Sequence, residues 1–113
     1  GMPDGPSMLG HWRDGLETII EDGVAKMPDR TSFAGSICTA DRLVRNMVRL
    51  AGASLPDAIE MVTTTPSCII GKSDVTGLVA PGRKADLVLF DEDIHVKKVW
   101  TDGILRYDSG ESV

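Results

Sequence analysis

Two Asp-Gly pairs, each lying between short β-prone runs, constrain this chain more than any other feature of its sequence. A type I′ turn needs positive φ at both central residues, and Asp followed by Gly meets that requirement at little cost. The sequence therefore predicts two tight β-hairpins, one near each end of the chain. The pairs are Asp22-Gly23, between residues 16–21 and 24–27, and Asp102-Gly103, between residues 96–101 and 104–107.

Between the two predicted hairpins, the apolar spacing and the capping residues indicate helices. Thr39 can cap a helix that runs to about Ala51 and stops at Gly52. Its apolar residues recur at helical spacing and predict one buried stripe. The stripe consists of Leu43, Met47 and Leu50, with Val44, Val48 and Ala51 alongside.

A second helix is predicted after Ser54, because Ser54 and Asp57 form an S-x-x-D capping pattern around Pro56. The residues before Pro66 avoid helical angles, so we expect an interruption at residues 63–65 and a short third helix over residues 66–70. Two one-faced helices so close together in sequence imply an apolar neighbour that both of them share.

Two further strands are predicted from short apolar runs. Residues 36–38 lead into the first helix, and residues 87–90 form a continuous apolar run that is typical of a buried strand. Pro81-Gly82 precedes the second run and suits a type II turn, in which glycine takes the position with positive φ. The last third of the chain is thus predicted to be β-structure.

Charge and composition exclude several classes of protein. The chain has 113 residues and a net charge of -5, so it is one small domain or a piece of a larger one, and we expect neither a nucleic-acid nor a membrane partner. The apolar runs are far shorter than the ~20 residues of a spanning helix. Cys38 and Cys68 show no C-x-x-C spacing, so we expect both to be reduced and the protein to be cytoplasmic.

Few residues of this sequence could act as metal ligands or as catalytic groups. His11 and His95 are isolated, and no His/Cys cluster with metal-ligand spacing is present, so we predict no metal site in this chain. The arginines of the first helix are expected to form a solvated face; they are Arg42, Arg45 and Arg49.

Asp41 lies where a strand is predicted to meet a helix, and two interpretations are open. An acid in the first helical turn interacts favourably with the helix dipole. A carboxylate at the end of a barrel strand can instead act as a general base that takes a proton from water and passes it to a leaving amine.

Three segments together resemble N-acetylglucosamine-6-phosphate deacetylases, a family of the amidohydrolase superfamily. The first, A-G-S-x-x-T-x-D-R at residues 34–42, is similar to the last barrel strand and helix of that family. Residues 58–71 resemble its following helices. Residues 77–90, with P-G-x-x-A-D-L-V-L-F, resemble a closing signature that many amidohydrolases share.

The resemblance implies an α/β fold that is the C-terminal fragment of a (β/α)8 barrel, with strands of a small β-sandwich domain. Residues 1–73 would form the end of the barrel domain, and residues 74–113 would form the sandwich strands. The family removes acetate from N-acetylglucosamine 6-phosphate, usually as a homodimer, and depends on a divalent metal of the zinc or iron type.

Carried over to this sequence, the resemblance makes Asp41 the general base and places Thr76, Gly77 and Leu78 at the sugar. The family's metal ligands and most of its sugar and phosphate contacts precede anything in this chain. We therefore expect no metal bound to it, no activity of the chain alone, and either self-association or a complementing N-terminal chain. If Met2, after a Gly1 tag remnant, is the encoded start, the gene is truncated or split.

Two alternatives remain open. The closing signature also fits a fragment of another amidohydrolase, such as a deaminase or a cyclic amidase. The chain could instead be a non-catalytic interaction or oligomerisation module. A compact monomeric fold with Asp41 buried in a salt bridge would favour that second alternative.

Overall fold

The computed structural model describes residues 3–9 and 15–111. The chain forms two compact units, Gly1–Thr39 and Ala40–Val113, and each unit has its own antiparallel sheet. The fold is therefore a small α/β arrangement with two sheets. The boundary after residue 73 refers to the domains of a longer enzyme and stays a prediction. In the described part of the chain, no helix is long and apolar enough to cross a membrane.

The first unit is a four-stranded antiparallel sheet in which neighbours in sequence are neighbours in space. Its most buried side chains are Thr18, Ile20 and Ala25, which lie on the two central strands. The strands are β1 (Gly5–Leu9), β2 (Leu16–Glu21), β3 (Val24–Lys26) and β4 (Phe33–Gly35).

Both predicted hairpins are confirmed. In the first, Asp22 and Gly23 have φ of 53° and 74° and join β2 to β3. In the second, Asp102 and Gly103 have φ of 50° and 75°. Both central residues of each turn are thus left-handed, as a type I′ turn requires.

The strand predicted over residues 36–38 is wrong. The strand in this region is β4, which ends at Gly35, and residues 36–39 have no regular structure. The hydroxyl of Ser36 accepts a hydrogen bond from the backbone N–H of Cys38 at 3.1 Å. A serine that closes such a local turn competes with strand pairing for the same backbone group.

The second unit holds three helices followed by a three-stranded antiparallel sheet of order β5-β6-β7. Its core is formed by Val44, Ala58 and Ile94, one residue each from the first helix, the second helix and the β5–β6 connection. The elements are α1 (Ala40–Arg49), α2 (Leu55–Val62), α3 (Thr64–Ile69), β5 (Leu87–Phe90), β6 (Val96–Thr101) and β7 (Ile104–Asp108).

The starts of α1 and α2 are confirmed, and the predicted stripe on α1 is partly wrong. Ser54 caps α2, and its hydroxyl oxygen accepts the backbone N–H of Asp57 at 3.2 Å. On α1, Val44 is the buried residue, whereas Leu43 and Leu50 are 47% and 82% exposed. The apolar face is turned toward the β5–β6 connection instead of being centred on the Leu43–Leu50 line.

Two other predictions hold with changes. The interruption before the third helix is confined to Thr63, so α3 starts two residues earlier than predicted. Strand β5 has the predicted bounds but is only partly buried, since Val88 is 54% exposed. The Pro81-Gly82 turn is confirmed, with Gly82 at φ of 82°.

Ile94 has an unusual backbone for a β-branched residue, with φ of 61°. Such a residue in the left-handed region is an outlier that needs compensation. Here its side chain is 6% exposed within the core, and its N–H donates to the carbonyl of Asp91 at 2.9 Å. Burial and hydrogen bonding hold this turn in place.

Candidate functional site

Asp41 lies in the first turn of α1 and is held by an ion pair. Arg45, one turn later, donates from Nη2 to Asp41 Oδ2 at 3.0 Å, and the Asp41 side chain is 27% exposed. An acid at this end of a helix also interacts favourably with the dipole. The carboxylate is therefore partly buried and charge-compensated.

Arg45 connects Asp41 to the segment between β5 and β6, called here the β5–β6 connection. Its Nη2 also donates to the carbonyl of Ile94 at 2.7 Å, and its Nε donates to the carbonyl of Asp93 at 3.0 Å. The Arg45 side chain is only 19% exposed, so the prediction of a solvated arginine face is wrong for this residue. Arg49 adds an ion pair with Asp93. Through these hydrogen bonds and this ion pair, the two arginines hold α1 against the β5–β6 connection.

The β5–β6 connection is organised by Asp91. Its Oδ1 accepts the backbone N–H groups of Asp93 and His95 at 3.0 and 2.9 Å, and Lys97 Nζ lies 3.3 Å from Oδ2. The hydrogen bond from His95 N–H, followed by that from Lys97, lowers the pKa of Asp91 from 3.8 to about 2. Lys97 is buried and also pairs with Glu111 at 2.5 Å.

The predicted sugar-contacting segment, Thr76 to Leu78, is packed against α3. The hydroxyl of Thr64 donates to the carbonyl of Gly77 at 2.7 Å. A Cβ on Gly77, whose φ is 88°, would overlap the Ser67 hydroxyl and lie 2.7 Å from its Cβ. Only glycine lets this backbone lie so close to Ser67, so Gly77 has a packing role whether or not it contacts a sugar.

This segment lines an open groove of about 780 Å³ between α2, α3 and the chain leading to β5. Thr76, Gly77 and Leu78 all lie on its wall, and the exposed fraction of Leu78 is 56%. Asp41 is not among the lining residues. The structure therefore brings the three predicted sugar contacts together and leaves the predicted base outside their groove.

The residues that the structure describes do not fit a metal site. Among the residues that the structure describes, no three His, Cys, Asp or Glu side chains group as metal ligands. His95 Nδ1 lies 3.4 Å from Asp91 Oδ2, and His11 falls outside the described residues. No chemical step through a metal is derived from this chain.

Comparison with known proteins supplies the family. The model of the amidohydrolase family matches residues 8–106. The chain belongs to the amidohydrolase family. That match covers most of the chain, including α1, β5 and β6 and the first three residues of β7.

The relatives are deacetylases of amino-sugar phosphates. The chain is 36% identical over 105 residues to an N-acetylgalactosamine-6-phosphate deacetylase of Escherichia coli O157:H7, and the match covers 93% of the chain and 26% of that protein. It is also 36% identical over 105 residues to a protein of Escherichia coli (strain K12), whose name marks the same activity as inferred. The chain covers 60% of that protein.

The fold agrees with a solved deacetylase. The crystal structure of N-acetylglucosamine-6-phosphate deacetylase from Thermotoga maritima superposes with a TM-score of 0.80 at 31% identity. The match covers 96% of this chain and 28% of that one. The chain thus spans between about a quarter and three fifths of the length of these three relatives.

Sequence reasoning missed the role of Arg45. One signal was present, since Asp41 and Arg45 are spaced i, i+4, which permits an ion pair on one helix face. The carbonyl acceptors lie 48 and 49 residues away in sequence, and no local pattern indicates them.

Proposed function

We propose that this chain is the carboxyl-terminal part of an N-acetylhexosamine-6-phosphate deacetylase and corresponds to the end of a (β/α)8 barrel and part of a β-sandwich domain. The observation that supports this most is the 36% identity to the Escherichia coli O157:H7 deacetylase, which spans 93% of the chain but 26% of that enzyme. A deaminase or cyclic amidase has no comparable support among these relatives.

The reaction proposed for the complete enzyme is hydrolysis of the acetamide of an amino-sugar phosphate, which releases acetate. A divalent metal would supply an activated water there. Because the described residues hold no metal site, the chain would need the missing part of the enzyme for activity. Alone we propose it to be inactive and to bind either a second copy or a complementing N-terminal chain.

Two sugars are candidates. The sequence resemblance favours N-acetylglucosamine 6-phosphate, the substrate named for the Thermotoga maritima structure. The names of the two Escherichia coli relatives favour the galactosamine epimer. We propose a cytoplasmic location because Cys38 and Cys68 are both free in the structure.

The catalytic role of Asp41 stays a prediction, and the geometry supports a second role. Arg45 engages Oδ2 of Asp41 and two carbonyls of the β5–β6 connection, so Asp41 positions the arginine that holds this unit together. The sugar contacts of Thr76, Gly77 and Leu78 also stay a prediction, supported by their place on the groove.

Complementation tests the proposal. The chain is mixed with the N-terminal part of the Escherichia coli O157:H7 relative, and acetate release is measured with both epimers. We expect release from the mixture and none from either part alone. Native mass spectrometry reports whether the parts associate. An associated mixture that releases no acetate from either sugar would contradict the proposed function.

Two variants in that mixture separate the roles of Asp41. If Asp41 is the general base, Asp41→Asn lowers kcat about 10²–10⁴-fold and removes the acidic limb of the pH profile. Arg45→Gln breaks the same ion pair and keeps the carboxylate, so it should lower kcat far less. Equal losses in both variants, with an unchanged pH profile, would assign Asp41 the positioning role alone.

A further inference from the structure

The two hairpin turns place the same pair of reactive groups side by side. In an Asp-Gly sequence the backbone nitrogen of the glycine can attack the side-chain carboxyl of the aspartate, because glycine has no side chain to shield that nitrogen. Asp22-Gly23 and Asp102-Gly103 share this sequence and have positive φ at both residues. What differs between the two turns is the set of contacts that holds each of them.

Three contacts hold the second turn. The backbone N–H of Asp102 donates to Asp86 Oδ1 at 2.9 Å, and Lys84 Nζ donates to Asp102 Oδ2 at 3.0 Å. The N–H of Gly103, whose nitrogen would attack, donates to the carbonyl of Ala85 at 3.0 Å. The carboxyl group and the attacking nitrogen are therefore both held by the segment that leads into β5.

The first turn has no comparable support within the described part of the chain. The Asp22 side chain is 88% exposed, and its ion-pair contact is with Lys26 Nζ at 3.4 Å. No hydrogen bond to another segment holds the Gly23 N–H among the described residues. A Cβ built on Gly23 would meet no atom within 4 Å. This turn can open without separating from any other element.

We propose that Asp22 is a modification site at which the chain isomerises to isoaspartate, and that the contacts of Asp102 protect the second turn from the same reaction. The nitrogen of Gly23 forms a bond to Cγ of Asp22, and the carboxyl hydroxyl leaves with the amide proton as water. Water then opens the resulting succinimide ring at the backbone carbonyl, so that the chain continues through the Asp22 side chain. The composition is unchanged, and no oxidant, reductant or cofactor is consumed.

The reaction requires a turn to open locally, so that the glycine nitrogen can reach the carboxyl carbon. Such openings are most frequent where the fewest contacts are lost. Beyond the bonds that both turns share, opening the second turn breaks the Gly103–Ala85 hydrogen bond and the contacts of Asp102, whereas opening the first breaks the contact with Lys26. One net hydrogen bond corresponds to a factor of about five in such an equilibrium.

The product would change the first unit alone. An isoaspartyl linkage adds one atom to the backbone of the turn, and the length of a hairpin turn sets the register of its strands. The first turn pairs Ile20 with Ala25, and both side chains are fully buried. We expect the modified chain to lose hydrogen-exchange protection in β2 and β3. The site is independent of the proposed deacetylase activity.

A comparison of the two turns within one chain tests the proposal. The full chain is incubated below its Tm at mildly acidic pH, because the protonated carboxyl loses its hydroxyl more readily, and a second sample is incubated in urea. Electron-transfer dissociation of the peptides measures isoaspartate at each turn. In the folded chain, Asp22 should isomerise at least about fivefold faster than Asp102. In urea the two rates should become similar.

Matched variants test the protection of the second turn. Lys84→Gln and Asp86→Ala each remove one contact of Asp102 and should raise its rate severalfold, whereas Lys26→Gln should leave the rate at Asp22 unchanged. Circular dichroism verifies folding, and the comparison of folded and urea-treated wild type stands without the variants. Equal rates at the two turns of the folded chain would overturn the proposal. So would an Asp22 that forms isoaspartate in urea and none when folded, or an Asp102 rate that neither folded variant raises.

Discussion

The two Asp-Gly hairpins share one turn and differ in what surrounds them. Their central φ values agree within a few degrees. In the first hairpin, Ile20 and Ala25 are fully buried, whereas every residue of β7 in the second is exposed. Turn geometry is thus set locally by Asp and Gly, while burial depends on which neighbours cover the strands.

The exposed strand is consistent with a chain that spans a fraction of its relatives. Ile104, Leu105 and Tyr107 are 46–54% exposed, although their types suit a covered strand. Exposed apolar side chains mark an interaction site when they form a contiguous patch. Among the described residues, β7 therefore lacks the cover that Ile20 and Ala25 have in the first hairpin.

The largest expected effect comes from truncating the two hairpins at matched isoleucines. Ile20→Ala should lower the free energy of unfolding by about 2–5 kcal/mol, because it leaves a cavity at a fully buried position. Ile104→Ala should change it by no more than about 0.5 kcal/mol. Urea unfolding measures both. A cost at Ile104 as large as that at Ile20 would mean that β7 is covered in solution.

A smaller and equal effect is expected at the two turn glycines. Gly23→Ala and Gly103→Ala should each cost about 1 kcal/mol, since both have positive φ and neither new Cβ meets an atom closer than 3.8 Å. Gly23→Asn and Gly103→Asn should cost less, because Asn tolerates this region. Hydrogen exchange, compared between residues 16–26 and 96–108, reads each hairpin separately. Unequal losses of stability in the two hairpins would contradict the conclusion that the turn geometry is independent of its surroundings.

The smallest effect should be a pH dependence confined to the β5–β6 connection, which leads into the second hairpin. The folded chain holds the pKa of Asp91 at about 2, below its ordinary value of 3.8, so its contribution to stability is present above pH 3.8 and is lost as pH falls through about 2. Asp91→Asn should therefore lower the Tm at pH 6, and the difference from wild type should shrink as pH falls toward 2. A Tm difference at pH 2 as large as that at pH 6 would show a cause other than the charge.

The features that the sequence predicted well are those with local causes. Both hairpin turns, the Ser54 cap and the Pro81-Gly82 turn follow from residues within a few positions of each other. The strand over residues 36–38 failed for an equally local reason, since Ser36 binds the N–H of Cys38. A serine two residues before the N–H donor is a local pattern from which this contact can be predicted.

The features that it missed depend on distant partners. Leu43 and Leu50 fit a helical stripe, but the connection around Ile94 covers Val44 instead. The close packing of Gly77 on Ser67 is also absent from any spacing pattern. The candidate site follows the same rule: Asp41 is visible in the sequence, whereas its connection through Arg45 to Asp93 and Ile94 is not.

Strand β7 carries Arg106 and Asp108 and forms an edge of its sheet in the described part of the chain. Charged residues on an edge strand discourage the addition of a further strand. The exposed apolar residues of β7 therefore lie on an edge that resists the open-ended growth of a fibre.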